Sequence, residues 1–192
     1  MAKTTTRKVV ILASGTGSLA ESIIRGAGEG YEVVGIIVDR ECRAMKVAEE
    51  NGVACGAVIY KDYSDREVWN KDLLAAISGM NPDLVVSAGF MRIISPIVLE
   101  VYGGRIINTH PALLPSFKGA HAVRDALDAG VRVTGSTVHV VDAGVDTGAI
   151  IAQVPVPVEL GDTEETLHER IKVAERELIV KVLNSSDPLA AQ

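Results

Sequence analysis

The junction where residues 8–13, Lys-Val-Val-Ile-Leu-Ala, run into Ser14-Gly15-Thr16-Gly17-Ser18 constrains the fold of this chain more than any other feature. A short apolar run reads as a buried strand, the two glycines as a tight turn, and 18–25 as a helix. The unit then repeats. Residues 31–38 read as a strand closed by Asp39-Arg40, and 42–50 as a helix stopped by Asn51-Gly52. Residues 53–59 read as a third strand, and 84–88 as a fourth. Between them, 65–78 has the period of an amphipathic helix, with Val68, Leu73, Leu74 and Ile77 set toward the core. Strands alternating with helices predict a parallel sheet covered by helices.

The second half changes character. Residues 96–101 read as a short helix, 105–108 as a strand, and 121–128 as a helix stopped near Gly130. Two β-rich runs, 135–141 and 149–156, are joined by the turn-rich link 142–148, which predicts antiparallel neighbours. A long helix over 163–182 closes the chain, with Asp162-Thr163-Glu164-Glu165 suited to its start. No linker interrupts the 192 residues. The expected fold is therefore a single α/β domain over 1–192. It is Rossmann-like, with a mainly parallel twisted sheet, flanking helices and an antiparallel pair in the C-terminal half. Segments 1–7 and 184–192 are expected to be loose ends.

The net charge of −6 argues against a nucleic-acid or anionic-membrane surface as the main role. No apolar stretch approaches the roughly 18 residues of a membrane span. Cys42 and Cys55 are two isolated cysteines, read as free thiols of a reducing cytoplasm. The four histidines show no ligand spacing and the cysteines do not cluster, so no metal site is expected.

Three groups of residues carry chemistry. Gly15-Thr16-Gly17-Ser18-Leu19-Ala20 satisfies G-x-G-x-x-A between a strand and a helix, the context for a phosphate or a dinucleotide. On the dinucleotide reading, Asp39 sits where a ribose-binding acid belongs. Second, Asn108-Thr109-His110-Pro111-Ala112-Leu113-Leu114-Pro115 brings an amide donor and a proton carrier to the start of a loop stiffened by proline. In an extended segment Asn108 and His110 share a face, and such a pair is what a carbonyl needs when a nucleophile adds to it. Asp146, in a Gly-bounded loop, is the carboxylate that would meet His110. Third, Gly89-Phe90-Met91-Arg92-Ile93-Ile94 follows the fourth strand, where ligands of open α/β sheets bind. His139 and His168 read as structural, and His121 as a residue near the site.

Taken together, Ala13 to Ser18, Ala88 to Ser95, Asn108 to Pro115, and Gly135-Ser136-Thr137-Val138-His139 leading to Asp146-Thr147-Gly148 resemble a known family. It is the folate-dependent phosphoribosylglycinamide formyltransferases. The likeness runs over about 8–182. It implies formyl transfer from 10-formyltetrahydrofolate to the amine of glycinamide ribonucleotide, in de novo purine (IMP) biosynthesis in the cytoplasm. It implies Asn108, His110 and Asp146 as the catalytic positions. Gly17, Ser18, Leu19 and Glu175 fall on the ribonucleotide side. Arg66, Met91, Arg92, Ile93, Ile94 and Asn108 fall on the folate side, and 140–146 resembles the loop that cups the pterin ring. Neither metal, nucleic acid nor membrane is called for, and a homodimer is compatible. Two positions depart from the common pattern: Leu19 stands where many relatives have Asn, and Ala112 replaces a frequent Ser.

Other readings predict differently. A formyltetrahydrofolate hydrolase or a methionyl-tRNA formyltransferase would share the Asn-His-Asp site but is expected to carry a further domain. A formate-using enzyme would need an ATP site, and no P-loop pattern is present. A nucleotide-binding regulatory module would use the glycine turn and Asp39 and leave 108–115 without a role.

Overall fold

The computed structural model describes residues 6–191. Seven strands form one sheet in the order β3-β2-β1-β4-β5-β6-β7. They are β1 (Arg7–Ala13), β2 (Tyr31–Val38), β3 (Cys55–Ala57), β4 (Leu84–Ser87), β5 (Ile106–His110), β6 (Val133–Val140) and β7 (Ile150–Pro157). The first five run parallel. β6 is antiparallel to β5, and β7 to β6. The helices are α1 (Ser18–Arg25), α2 (Arg43–Glu50), α3 (Arg66–Gly79), α4 (Pro96–Tyr102), α5 (Ala122–Asp128) and α6 (Glu164–Asn184), with a 3-10 turn at Tyr60–Asp62.

Strand alternation divides the core into two layers. In β1, Val9, Ile11 and Ala13 face α1, α2 and α6, where they meet Ala20, Ile23, Ala48 and Ile179. Val10 and Leu12 face the other way, toward Trp69, Leu73 and Ile77 of α3 and Val98 of α4. A strand buried on both faces must be apolar throughout, which is why 8–13 carries no polar alternation. A third cluster joins Val123 of α5, Val156 of β7, and Leu167 and Ile171 of α6.

Several expectations shift in the structure. Val68 is exposed, and Trp69 takes the core position, its indole N–H donating to the Val58 carbonyl at 2.8 Å. β3 shrinks to Cys55–Ala57 because it is an edge strand whose pairing to β2 ends after three residues. Residues 1–5 and 192 lie outside the described residues. Within them, Arg7 opens β1, and its guanidinium donates to the carbonyls of Gly30 and Leu183. Asn184 closes α6, its amide donating to Gly26 O at 2.9 Å, and Leu189 packs against the core beyond it. These side-chain ties carry both ordered segments past the expected bounds. Cys42 and Cys55 are free. No helix among the described residues is long and apolar enough to cross a membrane.

The strand order sets the place of the site. From β1 the chain moves outward to β2 and β3, then crosses back to place β4 on the other side of β1. The loops after β1 and β4 leave in opposite directions, and a crevice opens beyond the strand ends.

Candidate active site

That crevice holds a cavity of about 670 Å³. Its walls are the glycine turn 15–19, the segment 87–94, the end of β5 from Asn108 to Pro111, the loop 141–146, and one face of α6.

The glycine turn presents backbone. Gly17 precedes α1 with φ +73°, and no side chain caps the helix. The N–H groups of the first turn therefore have no intrahelical acceptor and carry the positive end of the helix dipole. Gly17 is required twice over, because a Cβ there would lie 2.8 Å from the Ala44 Cα. Leu19 is buried in the core beside Ile23 and also borders the cavity.

β5 is the hinge between the two halves of the sheet. Asn108 pairs with Ser87 on the parallel side and with His139 on the antiparallel side. The Nδ1–H of His139 donates to its neighbour's carbonyl, Val140 O, at 2.9 Å. Burial, outweighing the nearby Asp146, pulls the His139 pKa down and favours the neutral ring. Its free Nε2 lone pair then accepts from Asn108 Nδ2 at 3.2 Å, which sets the orientation of the amide.

His110 is 4% exposed. Its Nε2–H donates to Phe117 O at 2.7 Å, and its Nδ1 lies 3.4 Å from Asp146 Oδ2. Both ring nitrogens thus face oxygens, a carbonyl and a carboxylate, which fix the ring's orientation. Asp146 is itself held: Oδ2 accepts the Gly119 N–H at 2.9 Å, and Oδ1 lies 3.6 Å from His139 Nε2. Its φ of +51° is one that Asp and Asn adopt more readily than other residues with a Cβ.

The loop after His110 is pinned by one hydroxyl. Thr137 Oγ1 donates to Ala112 O at 2.6 Å and accepts from Leu114 N and Gln153 Nε2. The hydroxyl's full hydrogen-bonding capacity is used. Ala112 is fully buried, and its carbonyl is the group that matters here.

On α6, His168, Lys172 and Glu175 follow at helical spacing and line the far wall. Burial is the main influence on Glu175 and pushes its carboxyl up, against a hydrogen bond with the Thr109 side chain. Burial likewise lowers His168.

The folate-side residues divide. Met91 and Ile93 are exposed to the cavity, Ile94 is buried along its edge, and Arg92 lines it while its guanidinium turns away. Arg92 Nε donates to Asp39 Oδ2 at 2.8 Å, and the guanidinium lies over the Tyr60 ring at 4.1 Å. Arg66 does not line the cavity; it stands outside and donates to Ile93 O at 3.2 Å. Asp39 is 1% exposed, so the ribose role that a dinucleotide reading gives it is closed to it. Burial works against its charge, but hydrogen bonds from Ser14, Arg92 and Arg40 outweigh this and hold the carboxyl below its ordinary range.

His139 and His168 both line the cavity, where the sequence alone reads them as structural; His121 lies outside it, at the start of α5. The signal for His139 was the shared phase of Thr137 and His139 in β6. That phase gains meaning only once β6 pairs with β5.

Known proteins resemble this chain in sequence and in fold. The formyl transferase family model matches residues 7–183. A phosphoribosylglycinamide formyltransferase of Mycobacterium tuberculosis is 57% identical over 175 residues, 90% of this chain and 81% of that protein. The trifunctional purine biosynthetic protein adenosine-3 of Gallus gallus is 41% identical over 88% of this chain, which spans 17% of that longer protein. Among solved structures, glycinamide ribonucleotide transformylase 1 from Symbiobacterium toebii superposes with a TM-score of 0.90 at 37% identity, covering 93% of this chain and 86% of that one. Phosphoribosylglycinamide formyltransferase from Bacillus halodurans gives 0.87 at 39% identity, covering 93% and 94%. With residues 7–183 matched by the family model and most of the chain matched in sequence and in fold, the chain belongs to the phosphoribosylglycinamide formyltransferases of the formyl transferase family.

Proposed function

We propose that this enzyme transfers the formyl group of 10-formyltetrahydrofolate to the amine of glycinamide ribonucleotide, a step of purine biosynthesis in the cytoplasm, and that Asn108, His110 and Asp146 carry the chemistry. The observation behind this reading is their convergence on one cavity, with an anion-receptive helix start at one end and an apolar segment at the other.

The ribonucleotide phosphate would sit on the N–H groups of Gly17, Ser18 and Leu19, with Glu175 toward the ribose. Formyl folate would lie against Met91, Ile93, Ile94 and the loop 141–146, with Arg66 at the outer rim. The substrate amine then attacks the formyl carbon. Its lone pair forms the new C–N bond, and the carbonyl electrons move to oxygen. Asn108 Nδ2–H and His110 Nε2–H stabilise that oxyanion. For His110 this means exchanging the Phe117 carbonyl for the formyl oxygen. One such donor is worth roughly 3–4 kcal/mol. The Asp146 carboxylate, 3.4 Å from His110 Nδ1, fixes the ring's orientation. It also offers a base through which a proton from the attacking amine reaches the departing folate nitrogen. When the C–N bond to folate breaks, the products are formylated ribonucleotide and tetrahydrofolate. No covalent enzyme intermediate is needed.

The test is optical measurement of formyl transfer with and without glycinamide ribonucleotide, for wild type and His110→Ala. Ribonucleotide-dependent turnover that collapses in the variant supports the reading. Deformylation of folate that ignores the ribonucleotide points to a hydrolase, and an inert wild type overturns the proposal.

A further inference from the structure

Asp39 lies at the end of β2 with its side chain fully buried, yet the chemistry described above does not use it. Its carboxylate collects three donors: Arg92 Nε at 2.8 Å, Arg40 Nε at 3.4 Å and the Ser14 hydroxyl. Two of these donors belong to the cavity wall or the strand end beside it. Ser14 also accepts the Met91 N–H at 2.9 Å. The Asp39 backbone carbonyl accepts the Tyr60 N–H at 2.8 Å and so places the ring on which the Arg92 guanidinium lies.

The segment 91–93 shows why this matters. Met91 and Ile93 are 70% and 63% exposed, and both line the cavity. Arg92 between them points the opposite way, into the protein. The backbone bends at Arg92, and anchoring this side chain inward leaves Met91 and Ile93 on the cavity side. Phe90 stacks on Trp69 at 6.4 Å and fixes the start of the segment. Arg66, bound to Ile93 O, ties it from outside.

We propose that Asp39 is a positioning residue for the folate half of the site: by holding Arg92 and Ser14 it presents Met91 and Ile93 to the cavity. This rests on the folate assignment made above. On this view Arg92 contributes its backbone and its neighbours' orientation to ligand binding, and its charge is spent inside the protein. The Asn108, His110 and Asp146 side chains make no bond to this network, so binding of one substrate is affected and the chemical step is spared.

The experiment uses the full chain and two readouts on Asp39→Asn. In steady-state kinetics, KM for 10-formyltetrahydrofolate should rise about tenfold or more, with KM for the ribonucleotide within about twofold and kcat within about threefold. Amide hydrogen exchange, which needs no substrate, should accelerate at 90–94 and stay unchanged along β5. The double variant Asp39→Asn/Arg92→Gln, which removes the unpaired charge, should have a folate KM no higher than Asp39→Asn alone. Equal rises in both KM values, an unchanged folate KM, or unchanged exchange at 90–94 would overturn the proposal. Should Asp39→Asn fail to fold, Ser14→Ala removes the hydroxyl that joins Asp39 to the Met91 N–H while leaving Arg92 on Asp39, and the same split at smaller amplitude is required. If wild type shows no ribonucleotide-dependent turnover, the functional reading fails, while the exchange experiment still decides whether Asp39 holds the segment.

Discussion

Replacing Asp146 with Asn isolates the electrostatic part of the mechanism with little structural disturbance. The backbone at 146 is left-handed, with φ +51°, and Asn is among the few residues that accept this conformation. The Asn carbonyl oxygen can still accept the Gly119 N–H that Asp146 Oδ2 now takes at 2.9 Å. What is lost is a negative charge 3.4 Å from His110 Nδ1. At that separation, with an effective dielectric of about 20, the pair is worth at most about 5 kcal/mol. The side chain is 13% exposed, so water screens part of this. A rise of about 3–4 kcal/mol in the barrier corresponds to a fall in kcat of roughly 10²–10³. The amide also cannot relay the amine proton, which works in the same direction. The assay is single-turnover formyl transfer, followed optically at saturating substrates, alongside thermal unfolding of the same preparation. The expected outcome is a kcat lowered by that factor, with both KM values within a few fold and an unchanged unfolding midpoint. A kcat within tenfold of wild type in a folded variant would refute the charge-pair argument. So would a defect confined to KM.

Other perturbations follow from the same geometry. Gly17→Ala places a Cβ against Ala44 in a backbone of φ +73°, so denaturant titration should show about 2–4 kcal/mol of destabilisation; an unchanged midpoint would contradict the packing described. Glu175 has a folded pKa above its unfolded value, so the stability linked to its protonated form is complete below about pH 4.5 and lost as pH rises through the folded pKa. Glu175→Gln should flatten the stability–pH curve of the ligand-free enzyme above about pH 4.5, and a slope identical to wild type would exclude this coupling. Thr137→Val leaves Leu114 N–H and Ala112 O without their partner and should cost about 1–3 kcal/mol together with a fall in kcat, whereas Thr137→Ser should keep both near wild type. Equal behaviour of the two variants would remove the hydroxyl from the account.

Where local signals were strong, the fold was legible from the residues. The bounds 18–25 and 31–38 coincide with α1 and β2, because a glycine turn, a continuous apolar run and a charged stop all act within a few residues. The phase of α3 was not, since Val68 and Trp69 both suit an apolar stripe and only packing against α4 and the sheet selects Trp69. The site divides in the same way. Asn108, His110 and Asp146 stood out by residue type and by the loops that carry them. His139 did not, because an imidazole inside an alternating strand has no local mark of function. Its role comes from the register that sets it opposite Asn108. Arg92 shows what the sequence leaves hidden. A cation beside an apolar segment invites a ligand, and only the buried carboxylate at 39, 53 positions away in sequence, shows its charge already taken.

The change of strand direction at β5 explains why the proposed catalytic groups lie so close together. In a wholly parallel sheet, the strands beside β5 would each run into separate loops at its C-terminal end. Here β4 arrives parallel on one side and delivers Ser87 and the segment that follows it into the cavity. β6 comes antiparallel on the other side, so its body lies alongside the end of β5, with His139 opposite Asn108 and Thr137 opposite His110. One neighbouring strand thus supplies both the acceptor that orients the Asn108 amide and the hydroxyl that pins the loop after His110. Continuing past Val140, the same strand leads into the loop that carries Asp146 back to His110. Side chains anchored on a paired strand keep their places more tightly than side chains on loops, and displacements of about 1 Å are costly in rate. The parallel half of the sheet therefore makes the crevice and the anion end. The antiparallel half holds Asn108 and His110, the groups proposed to act on the formyl carbonyl, in register within it.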